Sequence, residues 1–439
     1  MTTEIAVINR LGVALATDSA VTISGHHAQK VFDTGDKLFE LHETAPIGVM
    51  INGNMDLLGV PWELVIKDFR ASRPEIKSQS MKDWMQCLLD FVAKHPTRTE
   101  GAEERFVLAI AIDEFTHIKR LVQGVIFGSP NTKFDVAEVV EQEAEKRRKS
   151  YADVGVAESL ASVSRDAVRK KYAPLLNKVI TEQFAPVVVS TKLRMILRKV
   201  VVDGLFTSVP SPMSTGIIVA GYGDGDMFPS IAIAEVEGAL AGHLKYTHGE
   251  HVVIDRTDNP GRVISFAQTD VVERLLSGAD SRFIQKSEEY IHGAIVESAK
   301  GLSQLFARAG VDAKTAEALI DGVASGVSGG FGQTFAVTAR AEFEDDFNQM
   351  VAMMPKQDII ELAEALVSIT AIERKASSEQ ATVGGPVDVG FITRHEGFVW
   401  IKRKHYFNQS LNPRYFWRKF NLMGTWEVQN ESVDRRAPK

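Results

Sequence analysis

Thr2 directly follows the initiator methionine and becomes chain-terminal when that methionine is trimmed, carrying a free α-amine beside its own hydroxyl. A threonine hydroxyl is a weak nucleophile until a base takes its proton, and an N-terminal amine is one partner able to do so. With a reference pKa of about 7.7–8.0, that amine lies near the operating pH, where a general base works best. A cation close by would lower it further, and Lys37 is the candidate, with Lys30 competing for the role. A buried lysine is costly unless paired, so Asp18 would both orient Lys37 and balance its charge. Thr2, Asp18 and Lys37 could thus supply a nucleophile and the groups that tune it for attack on a carbonyl carbon. Thr3, the neighbour, is expected to add strand propensity only.

Strands must hold these side chains. Residues 2–9 and 12–17 read as two strands joined at Arg10-Leu11-Gly12, and 37–41 and 46–52 as the next pair, with Pro46 suited to a strand start. From Pro61, Trp62, Leu64, Val65, Ile66 and Phe69 alternate with charges as an amphipathic helix opening on proline. Ser80 predicts an N-cap for a helix over 81–95. The run Phe106 to Ile112 predicts a strand buried on both faces, with Leu121 to Phe127 as its hairpin partner. Residues 131–207 carry long helical patterns rich in Glu, Lys, Arg and Ala. Strands return at 215–221 and 230–237 around the turn Gly223-Asp224-Gly225-Asp226, followed by helices over 269–277 and 281–300. The stretch Gly326-Val327-Ser328-Gly329-Gly330-Phe331-Gly332 reads as flexible, Ile359 to Ile372 as an amphipathic helix, and 387–393 and 397–402 as closing strands. Periodicity by itself predicts an α+β fold.

The opening Thr2-Thr3-Glu4-Ile5-Ala6-Val7, the segment Gly12-Val13-Ala14-Leu15-Ala16-Thr17-Asp18-Ser19 and the later Asp36-Lys37-Leu38-Phe39-Glu40-Leu41 resemble the start of a proteasome β-subunit or of its bacterial relative HslV. The Thr2-to-Asp18 spacing matches that family without a gap, whereas Lys37 falls a few residues late, implying a small insertion near Gly25-His26-His27. Ile51-Asn52-Gly53-Asn54 resembles the family turn whose backbone N–H forms an oxyanion hole, which implies that role for Gly53. Looser matches are Thr215 to Gly223 and the Gly-Gly segment Thr382-Val383-Gly384-Gly385-Pro386-Val387-Asp388-Val389. The family's supporting Ser and Asp have no matching pattern near Phe266-Ala267-Gln268-Thr269 or Gln380-Ala381-Thr382-Val383.

The resemblance implies a four-layer αββα sandwich of the N-terminal nucleophile hydrolases, with helical insertions. Its core would comprise residues 1–130, 213–298 and 356–407, interrupted by a helical insertion at 131–212 and a second insertion at 299–355, with a tail at 408–439. It further implies a threonine hydrolase of peptide or amide bonds, with Thr2, Asp18, Lys37 and Gly53 as site residues. Peptide or protein substrates, a homo-oligomer and no metal or organic cofactor are expected, and an unfoldase partner is left unnamed. The missing Ser and Asp motivate an alternative, a catalytically inactive assembly or binding protein on the same fold. A small-amide hydrolase is a third reading.

Composition sets the bounds. The 439 residues suffice for one large domain with insertions or for two to three ordinary ones. A net charge of −7 argues against a chain that is basic throughout and built for nucleic acid or membrane surfaces. Cys87 is the only cysteine, which excludes an intrachain disulfide or a Cys-based zinc site, and its amphipathic surroundings predict a small core residue. No segment has the roughly 18–20 consecutive apolar residues of a membrane span, and no basic start precedes a long apolar run, so cytoplasmic residence is expected. Gly221-Tyr222-Gly223-Asp224-Gly225-Asp226 opens no clear helix and reads as a hairpin turn rather than a phosphate or calcium loop. His243, His248 and His251 read as members of a polar loop without a companion metal motif. Residues 400–420 mix Lys402, Arg403, Lys404, Arg414, Arg418 and Lys419 with aromatic side chains. Such a segment can bind single-stranded nucleic acid, but a strand end followed by a helix docked through its aromatic face is the favoured reading, with a subunit interface as a further one.

Overall fold

The structure is a computed structural model that describes residues 2–24, 29–72, 80–97, 99–128, 133–185, 187–279, 281–376 and 383–422. The loop at Gly25-His26-His27, the segment Gln380-Ala381-Thr382 and the end of the tail lie outside those residues. In chain order come β1 (Thr3–Asn9), β2 (Gly12–Thr17), β3 (Val21–Ser24), β4 (Gln29–Phe32), β5 (Leu38–Glu40), β6 (Ile47–Gly53), β7 (Asp56–Leu57) and β8 (Val60–Pro61). Helices α1 (Trp62–Ala71), α2 (Met81–Lys94), α3 (Glu100–Gly128), α4 (Val136–Ser150), α5 (Arg165–Lys171), α6 (Ala173–Gln183) and α7 (Thr191–Phe206) follow. Next are β9 (Thr215–Gly221), β10 (Ser230–Leu240), β11 (His243–Val253) and β12 (Gly261–Ala267), and then α8 (Asp270–Ser277), α9 (Ser281–Ala299), α10 (Ser303–Arg308), α11 (Ala313–Gly330), α12 (Val337–Met353) and α13 (Lys356–Ala376). β13 (Asp388–Thr393), β14 (Gly397–Lys402) and α14 (Pro413–Leu422) close the chain.

The fold is mixed, with antiparallel sheets. One five-stranded sheet runs β12-β1-β2-β13-β14 and a second runs β11-β10-β9-β6-β5. Alternation along each strand sorts side chains to opposite faces. Ala6, Ile8, Val13 and Leu15 of the first sheet pack against Leu38, Met50, Ile218 and Ala220 of the second, so the sheets face one another. The outer face of the first sheet, through Ile5, Val7, Ala14 and Ala16, is covered by Ile359, Ala363, Leu366 and Val367 of α13 together with Val272 of α8 and Val351 of α12. The outer face of the second, through Val49, Ile51, Ile217 and Val219, is covered by Trp62, Val65 and Phe69 of α1 and Trp84, Leu88 and Leu89 of α2. Each fully buried Val, Leu, Ile, Phe or Met among these contributes roughly 1.5–3 kcal/mol. α2 begins with a reciprocal Ser80/Asp83 capping box, as its sequence predicts.

The apolar run at 106–112 is not a strand, and 121–127 is not its partner; both lie in α3. Phe106, Val107, Ile110, Ala111, Phe115, Ile118 and Val122 are buried at helical spacing, while Ile112 and Leu121 face outward. The run looked continuous because Leu108 and Ala109, on the flank of that stripe, are also apolar. α3 joins α4, α5, α6 and α7 around a separate helical core that includes Leu160, Leu176 and Leu197. It meets the second sheet where Phe106 lies over Gly238, leaving no room for a Cβ there. His243, His248 and His251 belong to β11 rather than to a loop, with His248 bonded to Glu158. Residues 326–332 are not an irregular flexible stretch but the end of α11 and the start of a π-helical turn, Phe331–Ala336.

The described residues that follow Lys402, 403–422, belong to a second compact unit. Within it, Phe407 packs edge-on against Tyr406 and Tyr415 and touches Phe416.

Candidate active site

β1 and β2 form a tight hairpin in which Glu4 opposes Thr17 and Ile8 opposes Val13. At the open end of that hairpin, Asp18 and Thr3 are joined through their backbones, Asp18 N–H donating to the Thr3 carbonyl at 3.2 Å. Thr3 N–H in turn donates to Asp18 Oδ1 at 3.2 Å, so Thr3 fixes Asp18 rather than merely extending the strand. Ala20 N–H and Gly384 N–H reach Asp18 Oδ2 at 3.2 and 3.0 Å. The Gly384-Gly385 loop is itself fastened, since Gly384 C=O accepts from Ser19 N–H and Ser19 Oγ donates to Pro386 C=O. Gly385 turns at φ +76°, a left-handed conformation suited to glycine.

Lys37 stands immediately before β5, its carbonyl accepting from Ile51 N–H of the neighbouring β6. Its side chain is 0% exposed and its ammonium lies 2.5 Å from Asp18 Oδ1. Glu4 Oε1 is 3.5 Å from the same ammonium. Glu4 is also fully buried, and its other oxygen, Oε2, accepts a 3.1 Å hydrogen bond from the Thr2 hydroxyl. A chain of contacts therefore runs Thr2 Oγ, Glu4, Lys37, Asp18. Burial pushes the Glu4 carboxyl up to about 8, against the pull of the Lys37 charge and with a smaller push from Asp18. Among the described residues Glu4 Oε1 has no hydrogen-bond partner.

The structure brings together Thr2, Asp18 and Lys37. Lys30 lies elsewhere, exposed on β4 with its ammonium over the Phe32 ring. Gly53 ends β6 on the facing sheet, with φ +77° and with Ser214 C=O so close that a Cβ would sit 2.7 Å from it. The turn that follows is pinned by Asn54 N–H donating to Ser214 C=O, by Thr215 Oγ donating to Asn54 C=O at 2.6 Å and by the buried Trp62 indole N–H donating to Thr215 Oγ at 2.9 Å. A cavity of about 300 Å³ is lined among others by Gly35, Asp36, Met55, Asp56 and Glu63, but by none of Thr2, Glu4, Asp18, Lys37 or Gly53.

Glu4 was missed from sequence, where it read as part of a strand. The signal was available: on an otherwise continuous apolar strand, a charged residue two places after Thr2 must share its face. The cross-strand register places Thr17 beside Glu4, and Asp388 beside Thr17, giving a buried polar row over β1, β2 and β13. Among the described residues no cluster of three or more His, Cys, Asp or Glu is placed to hold a metal, and no helix is long and apolar enough to cross a membrane.

No family model and no curated protein matches the chain. Similar solved structures are a helical assembly of the Anbu complex from Pseudomonas aeruginosa, Anbu (ancestral beta-subunit) from Yersinia bercovieri and an Anbu Gly-1 mutant from Hyphomicrobium sp. strain MC1. Each is 10% identical with a TM-score of 0.26. The alignments cover 96%, 96% and 97% of this chain and 95%, 96% and 99% of theirs. These findings correct the resemblance to proteasome β-subunits and HslV. Neither a family model nor a curated relative supports that membership, and the similar structures are Anbu chains at a level of superposition that does not bear on chemistry.

Proposed function

We propose that the chain is a threonine hydrolase that cleaves amide bonds through the hydroxyl of Thr2, freed as the N-terminus by removal of Met1 in the cytoplasm. The observation that carries the reading is the buried Lys37–Asp18 ion pair, linked through Glu4 to the Thr2 hydroxyl at the open end of the first hairpin. Burying a charged pair and a third ionisable group costs several kcal/mol, and a strand end needs none of them to fold. Grouped around a hydroxyl, they form an arrangement of the kind that activates a nucleophile.

In this reading Thr2 Oγ attacks the carbonyl carbon while its proton passes to a base in the site, for which the freed Thr2 amine is the choice made from sequence. Lys37, held by Asp18, stabilises the charge that develops. Gly53 N–H binds the oxyanion, a donor worth about 2.7–4 kcal/mol in acyl transfer. Collapse releases the amine half of the substrate, and water then frees the acyl half. The two facing sheets with helices on both outer sides support the αββα sandwich of N-terminal nucleophile hydrolases as the scaffold, with α4–α7 and the region 299–355 as additions to it.

A homo-oligomer belongs to the same reading. Leu319, Val323 and Val327 form an exposed apolar stripe along α11, a surface of the kind buried in self-association. The test of activity is a panel of peptides with basic, acidic and apolar side chains before the scissile bond, set beside small amides. Turnover by the native-terminus protein that disappears in Thr2→Ala, with the fold intact, is expected. Equal turnover by Thr2→Ala refutes the assignment.

A further inference from the structure

We propose that the Glu4 carboxylate, rather than the Thr2 amine, is the base that takes the proton of the Thr2 hydroxyl. This deepens the hydrolase reading and rests on it. Three observations carry it. First, Glu4 Oε2 is the acceptor of the Thr2 Oγ hydrogen bond at 3.1 Å, within the reach required of a general base. Second, the Glu4 side chain is wholly buried, and apart from a long 3.5 Å ion-pair contact with the Lys37 ammonium its other oxygen has no hydrogen-bond partner among the described residues. A carboxyl kept dry with so few hydrogen bonds is a costly feature, and it sits beside the nucleophile. Third, that Lys37 contact compensates the negative charge when Glu4 is ionised. The charged groups facing Glu4 are Lys37 from the start of β5 and Asp18 from the end of β2, with Asp388 two strands away in the same row. Burial raises Glu4 to about 8, so its basicity is tuned to neutral solution instead of to the usual acidic range.

The Thr2 O–H proton moves to Glu4, the Oγ–C bond forms, and the carbonyl π pair moves onto oxygen at Gly53 N–H. As the C=O bond re-forms, the C–N bond breaks and the departing amine takes the proton from Glu4. In deacylation water gives a proton to Glu4 as its oxygen adds to the acyl carbon and the carbonyl π pair moves onto oxygen; as the C=O bond re-forms, the C–Oγ bond breaks, Thr2 Oγ takes that proton from Glu4 and the acid product leaves.

The Thr2 amine has a reference pKa of about 7.7–8.0, so an inflection near pH 8 does not by itself separate the two bases; removing each one does. The probe is a β-lactone, which acylates the hydroxyl without needing the amine, and the readout is the second-order rate of adduct formation on Thr2 from pH 5.5 to 9.5. In Glu4→Gln with its terminus trimmed, the rate is expected to fall about 100-fold or more, the range associated with a positioned base. The inflection should vanish with it, while Glu4→Asp retains part of the rate. A Glu4→Gln rate within threefold of wild type, with the same profile, overturns the proposal and leaves Thr2 standing as nucleophile. Wild-type protein labelled no faster than Thr2→Ala overturns the hydrolase reading and this proposal together. Should Glu4→Gln fail to fold, wild-type protein acetylated at its N-terminal amine decides: a rate within tenfold of the free form supports Glu4, and a rate at the Thr2→Ala level overturns it.

Discussion

Replacing Lys37 by methionine is the perturbation that most directly probes the electrostatics of the site. The side chain is wholly buried, its ammonium lies 2.5 Å from Asp18 and 3.5 Å from Glu4, and methionine fills much of the same volume without the charge. The variant leaves the Asp18 carboxylate in a dry site with three backbone N–H donors but no cation. Removing one partner of a buried pair costs about 3–5 kcal/mol, because the survivor is uncompensated, and that range is expected here. The Lys37 charge is also what draws the Glu4 carboxyl down against its burial, so in the variant Glu4 stays protonated over a wider pH range. Asp18→Asn alone should cost a similar amount, and Lys37→Met/Asp18→Asn less than the sum of the two, with a coupling of about 1–3 kcal/mol. The assay is urea unfolding followed by the fluorescence of Trp62 and Trp84, both buried against the second sheet. A Lys37→Met protein within about 0.5 kcal/mol of wild type, the range of neutral surface changes, would show that Lys37 is hydrated and unpaired, and the argument for a built site would fail.

Gly53→Ala forces a side chain into a left-handed position facing Ser214 C=O at 2.7 Å; it should cost about 1–3 kcal/mol in urea unfolding and, by displacing the oxyanion donor, lower amide turnover roughly 10²–10³-fold. Glu4 holds its proton up to about 8 in the folded chain, against 4.5 as its ordinary value. The folded state thus binds more protons through that window, and the stability it gains is complete below about pH 4.5 and lost as pH rises through about 8. The urea midpoint of wild type should therefore fall between pH 5 and pH 8 by more than that of Glu4→Gln, and parallel profiles would contradict the buried placement of Glu4.

Much of the fold was legible because it follows from local pattern. The opening hairpin is two short apolar runs around Arg10-Leu11-Gly12, and α2 carries its capping box in plain view. Where reading failed, tertiary context had overridden the local signal. The run at 106–112 has the composition of a buried strand, and only its burial at helical spacing within a helical core places it in α3. β11 was passed over because most of its middle side chains are partly or fully exposed, so it lacks the apolar alternation that marks a strand. Among site residues, Thr2, Asp18 and Lys37 stood out through their chemistry and spacing, and the loop before Lys37 left Lys30 as a rival until the structure placed it on β4. Glu4 was invisible for the opposite reason: a carboxylate is read as solvent-facing unless the strand around it is known to be buried on both faces, as β1 is.

The measurement that tests the central claim most directly is intact mass followed by peptide mapping of the native-terminus protein, before and after incubation with a peptide epoxyketone, which closes a ring on both the hydroxyl and the free amine of an N-terminal threonine. The account predicts loss of Met1 and a single adduct on the Thr2 peptide, absent from Thr2→Ala. Met1 retained on a folded protein that takes up no adduct would contradict it.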